Sequence, residues 1–165
     1  MGKEYSIQEA LKLAIQAEKD SMDFYRRAGS VTANERAKQI FDLLANEEVG
    51  HLKSFFDHYK GGEFGDLKTF MDSPPNKMSA TYQALEKSID AETHEQKALE
   101  IALKEEKATI AQYSMLAKDI VDPLVRAVFE KVVKETENHY AMIEDEYMHV
   151  MTMVDKSDQD IYVRE

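Results

Sequence analysis

The sequence predicts an all-α domain, a four-helix bundle with a long crossover between its second and third helices. Three observations lead there. Helix-start signals recur along the chain while strand patterns do not, the links between the long helices run short, long, short, and the second half repeats the first. An up-down-up-down bundle needs only short loops, so a long middle link points to two hairpins joined by a crossover.

The elements follow in order. Ser6 with Glu9, and Thr32 with Glu35, fit the capping box, in which side chains satisfy orphan amides at a helix start. Thr93 with Gln96 is a third such start, and Asp122 before Pro123 reads as an N-cap and first helical residue, where proline has no amide hydrogen to leave unpaired. These signals place long helices near 6–29, 33–60, 93–119 and 123–150. Gly61, Gly62 and Gly65 end the second. The stretch 63–92 contains "SPPN" and is expected to hold a short helix around 79–90. The bundle thus takes residues 1–150, and 151–165 form a polar C-terminal tail expected to be loosely held.

Composition narrows the function classes. With 165 residues the chain can close one core, and 3 Pro and 6 Gly suit a folded helical protein. The absence of cysteine excludes disulfides, iron–sulfur clusters and thiolate zinc sites on this chain. A net charge of -11, with scattered lysines among acidic neighbours, argues against nucleic acid. No apolar run reaches the roughly 20 residues that span a bilayer. The N-terminus lacks the apolar core of a signal peptide, so a soluble, cytoplasmic protein is expected, with no membrane partner.

The repeat is visible by eye. "AIQAEKDSMDFY" (14–25) lies over "ALKEEKATIAQY" (102–113), and "IFDLLANEEVGH" (40–51) over "VFEKVVKETENH" (128–139), both at the 88-residue offset that separates Glu18 from Glu106. Spacings of three and four trace one apolar face on each helix. The stripes read Leu11, Ile15, Glu18, Met22, Tyr25; Phe41, Leu44, Glu48, His51, Phe55; Leu99, Leu103, Glu106, Ile110, Tyr113; and Phe129, Val132, Thr136, His139, Ile143. Each is apolar at its ends and polar in the middle. Packed together, they bring Glu18, Glu48, His51, Glu106 and His139 to mid-core.

An isolated buried carboxylate costs several kcal/mol or takes up a proton. Three would repel one another, and no Lys or Arg lies on any stripe. One reading is a set of protonated carboxyls or a solvated cavity. The other is a metal site. Glu48 and His51, three residues apart, project from one helix face towards one point, and Glu-x-x-His inside a bundle is the ligand pattern of carboxylate-bridged di-iron and di-manganese proteins. Oxygen and nitrogen donors of this kind suit iron and manganese.

Over residues 6–150 the chain resembles the ferritin-like di-iron carboxylate family, most of all the erythrin domain of rubrerythrins. The resemblance rests on Glu18 in "AEKDSMDFY", Glu48 and His51 in "EEVGH", Glu106 in "EEKATIAQY" and His139 in "ETENH". It implies that Glu18 and Glu106 are terminal ligands, one per metal, that Glu48 bridges and that His51 caps one iron. Tyr25 and Tyr113, each seven residues after its Glu, resemble the tyrosines that stand just outside such ligands, and equally suit the core as fillers.

The pattern departs from the family in three places. A second bridging Glu is expected where this chain has Thr136, and a further Glu of rubrerythrins falls at Thr109. The cysteine-ligated rubredoxin domain is absent from this sequence. Glu135 could compensate for Thr136 if a local helix bulge turned it inward; Glu137 is the weaker substitute. The resemblance implies a cofactor of iron, two per chain if the site is intact, with manganese or zinc as other occupants. It also implies chemistry with peroxide or dioxygen, or oxidation of ferrous iron, fed by a separate electron donor, and a homodimer. The alternatives are a non-enzymatic protein binding one metal, with its second site degraded, and a structural or interaction bundle. His58, His94 and His149 are expected to be mostly solvated, as is the run "EDEY" (144–147).

Overall fold

The computed structural model describes the backbone of residues 2–90 and 94–163, and the side chains of 7–90 and 94–153. Its elements are α1 (Gly2–Val31), α2 (Glu35–Phe56), α3 (Leu67–Asp72), α4 (Ala80–Ser88), α5 (His94–Asp119) and α6 (Pro123–Val163). The long helices α1, α2, α5 and α6 form the bundle, packing most extensively within the hairpins α1–α2 and α5–α6. The stretch between α2 and α5 carries α4 where the short helix was expected, together with α3, which the sequence reading missed.

Local chemistry sets the helix ends. Asp122 accepts from the amides of Leu124 (2.9 Å) and Val125 (3.2 Å), as its place before Pro123 predicts. At α2 the cap is Asn34, whose side chain accepts from the Ala37 amide, rather than Thr32. The Thr32 hydroxyl instead donates back to the carbonyl of Ala28 at 2.6 Å, so this residue finishes α1 and does not start α2. Helix α1 begins at Gly2, which puts Ser6 inside it rather than at its cap. Thr93 falls outside the described residues. Helix α6 runs to Val163, past the boundary expected at 150.

The stripes pack inward as their spacing requires. Every stripe residue is buried except Leu103 and Ile110 on α5, which are partly covered. The core divides into two apolar clusters. One gathers Leu11, Ile15, Leu52, Phe55, Tyr113, Phe129 and Val132. The other gathers Phe24, Tyr25, Phe41, Leu44, Leu99 and Ile143. Between them lies the polar mid-level of the four stripes. Burial at about 25 cal/mol per Å² of apolar surface stabilises both clusters, and so holds the polar layer in place from above and below.

The crossover is fastened to the bundle. Phe56, Phe64 and Phe70 form a ring cluster with centroids 4.7–6.5 Å apart. The buried Lys19 ammonium donates to Asp23 and to the carbonyl of Ser73 (3.0 Å). Two sequence expectations are corrected here. His94 is buried, with Nδ1 3.2 Å from Ser88 Oγ. Within "EDEY", Glu146 is 1% exposed and accepts from Arg36 on α2 at 2.6 Å. Glu146 meets a partner 110 positions away, beyond the reach of any local pattern, whereas His94 meets Ser88 six positions before it. No described helix is long and apolar enough to cross a membrane.

Candidate metal centre

The helices deliver the expected residues to one level. Glu18 comes from α1, Glu48 and His51 from α2, Glu106 from α5 and His139 from α6, each 2–4% exposed. They fall into two groups whose donor atoms lie within 4.8 Å of one another: Glu18, Glu48 and His51, and Glu48, Glu106 and His139. Glu48 belongs to both. One of its oxygens faces His51 Nδ1 at 3.7 Å and the other faces His139 Nδ1 at 3.4 Å. The two imidazoles stand nearly parallel, 21° apart with centroids 5.3 Å apart. Glu18 Oε1 lies 3.6 Å from His51 Nδ1.

None of these close approaches is a hydrogen bond. Glu18 Oε1, His51 Nδ1 and His139 Nδ1 are buried without a hydrogen-bond partner, and each such atom normally costs 1–3 kcal/mol or more. A cation in each of the two groups would satisfy all three. The donor set, carboxylate oxygen and imidazole nitrogen, is one that iron, manganese and zinc accept, so the residues present fit the group that the resemblance implies.

Electrostatics point the same way. Burial, together with Glu48, holds the Glu18 carboxyl well above the usual range. Burial likewise pushes Glu106 up to about 7. On His51 burial opposes a charge, but Glu18 and Glu48 outweigh it and push the imidazole up to about 11. Burial lowers His139. Without metal, the layer therefore takes up protons on the same groups that would hold an ion.

The residues around the donors are unevenly arranged. Tyr25 donates to Glu106 Oε1 at 2.5 Å, across the bundle from α1 to α5. Tyr113 instead donates to the Ala14 carbonyl at 3.4 Å. Burial keeps both phenols protonated, with nearby carboxylates acting in the same direction. Thr136 is 2% exposed, and its hydroxyl donates to the Val132 carbonyl of its own helix at 2.7 Å. It adds no carboxylate where the family pattern has one.

Glu135 reaches His51 without any helix bulge, since α6 is continuous α-helix through this segment. Its Oε2 lies 2.7 Å from His51 Nε2, the ring nitrogen that does not face Glu18 and Glu48. A carboxylate only accepts, so Nε2 carries the proton. Glu135 therefore stands behind His51, outside both donor groups, and does not take the place left by Thr136. Orientation of an imidazole by a carboxylate on its second nitrogen is the usual support for a metal-binding histidine.

A helical bundle with a crossover and paired carboxylate–histidine groups in mid-core defines the ferritin-like class of metal-binding proteins. The family model of Rubrerythrin matches residues 9–147, and the chain belongs to the rubrerythrin family. No curated protein matches the chain.

Proposed function

We propose that the chain is a di-iron carboxylate oxidoreductase that reduces hydrogen peroxide, drawing electrons from a separate donor protein and working as a homodimer. One observation carries the reading: the two oxygens of Glu48 face the Nδ1 atoms of two parallel histidines, the disposition of a carboxylate shared by two ions. When bound, a pair of ferrous ions supplies two electrons, which with two protons convert peroxide to two waters. Glu18 and His51 would hold one ion, Glu106 and His139 the other. Glu135 fixes the tautomer of His51, and Tyr25 fixes the rotamer of Glu106 with a proton in place. The apolar clusters on either side keep bulk water from the layer.

The experiment is metal counting on protein purified without oxygen and reconstituted with ferrous iron, followed by peroxide addition. Two irons per chain that oxidise and can be re-reduced over repeated cycles support the reading. A second reading, one tightly held metal and no turnover, is favoured by the Thr136 hydroxyl bonded into its own helix. A single ion inert to peroxide would establish it. An empty, purely structural bundle would bind neither iron, manganese nor zinc.

A further inference from the structure

Among the described residues, two clefts reach the polar layer from the sides of the bundle, and they differ in charge. The first, about 180 Å³, opens between α1 and α5. Its rim includes the exposed Glu105 and Gln112 and the half-buried Asp20, while the buried Tyr25 and Glu106 form its inner wall. Thr109, standing where the family has a further Glu, lines it with a short side chain. No Lys or Arg lines this cleft. Glu106 leads directly to the His139 group, whose Nδ1 is buried and unpartnered.

The second, about 300 Å³, lies between α2 and α6 and reaches His51. Its lining carries the carboxylates Glu47 and Glu135 and, unlike the first, a cation, Lys131, 3.9 Å from Glu135. Glu135 in turn occupies His51 Nε2. An ion arriving there meets an ammonium and a ring nitrogen already engaged.

We propose that the α1–α5 cleft is the entrance through which a divalent cation reaches the centre, with Asp20 and Glu105 drawing it in and Glu106 receiving it. The proposal rests on the metal-centre reading above. Carboxylates along a confined wall raise the local concentration of cations and their association rate by 10–10³, an effect that salt weakens. The lining favours a cation over neutral peroxide, because peroxide gains nothing from a field of one sign.

The test is anoxic rapid mixing of metal-free protein with ferrous ion, quenched by a chelator at timed intervals. In Asp20→Asn/Glu105→Gln, uptake should slow by about fivefold or more at low ionic strength, while the final metal content stays at the wild-type value. The wild-type rate should fall as salt is added, and the variant rate should change little. Thr109→Phe, which fills the cleft, should also slow uptake. Ser54→Phe, which fills the α2–α6 cleft, should leave it unchanged. Wild-type uptake rates in the double variant, or slowing by Ser54→Phe alone, would overturn the route while leaving the centre intact. Absence of metal in the wild type at equilibrium would overturn both.

Discussion

Glu18, Glu48 and His51 on one side of the polar layer, and Glu48, Glu106 and His139 on the other, occupy equivalent places in an 88-residue repeat, yet the chain supports them differently. His51 has Glu135 fixed behind it at 2.7 Å, while Glu47, the repeat counterpart of Glu135, acts on His139 through its charge. The position matching Glu48 is Thr136, which is tied to its own backbone. Glu106 receives a hydrogen bond from Tyr25 at 2.5 Å. A repeated fold therefore carries an unequal pair: a first group with a carboxylate behind its histidine, and a second with threonine at the place that matches Glu48.

The shared residue should matter most. Glu48→Ala removes a donor from both groups, and ferrous affinity should fall by more than about 100-fold, since supporting residues alone are worth 10–100-fold. Equilibrium titration by a competing chelator measures it. Retention of one tight ion would mean that the two groups do not share Glu48.

Next comes the pH dependence of the metal-free protein. Glu106 folds with its carboxyl raised to about 7 from an ordinary 4.5, so folding takes up a proton and stability falls as pH rises through this window. His51, raised from 6.5 to about 11, stabilises fully below 6.5 and loses that contribution as pH climbs towards 11. Both slopes have the same sign. From Glu106 alone, urea unfolding of the metal-free protein should show about 3 kcal/mol more stability at the acidic end of this window, with His139, lowered by burial, acting against it below 6.5. Glu106→Gln should remove most of that slope. If it does not, the proton is held on the Glu18 side.

Removing the support behind His51 should cost less. Glu135→Ala is expected to weaken the first site by 10–100-fold, and Glu135→Gln, which can still accept from Nε2, should lose less. Equal losses would mean that charge rather than tautomer is what Glu135 supplies. The smallest effect sharpens the contrast from the other side. Thr136→Glu should tighten the second ion by about tenfold, bringing the two stepwise affinities closer together. Unchanged affinities would show that Glu48 alone suffices as the bridge.

Much of this was legible in the chain itself. Periodicity located the four long helices, because a 3.6-residue repeat of apolar side chains depends on local geometry, while of the expected caps Asp122 before Pro123 is the one that the described residues bear out. The same pattern singled out Glu18, Glu48, His51, Glu106 and His139, since a charged residue at an inward position is conspicuous wherever it occurs. Helix α3 was missed because six residues of crossover carry too little periodicity, and the capping role went to Thr32 rather than Asn34 because both precede the same helix.

What the sequence by itself determined was the inventory: an all-α bundle, a repeat, and five inward donors with a threonine at the sixth place. Tertiary structure alone decided how those donors are used. Glu135 at His51, Tyr25 at Glu106, Arg36 at Glu146 and Lys19 at Ser73 each join residues more than fifty positions apart. Such pairings follow from how four helices rotate and settle against one another, and the periodicity of a single helix carries no record of which neighbour its polar edge will meet.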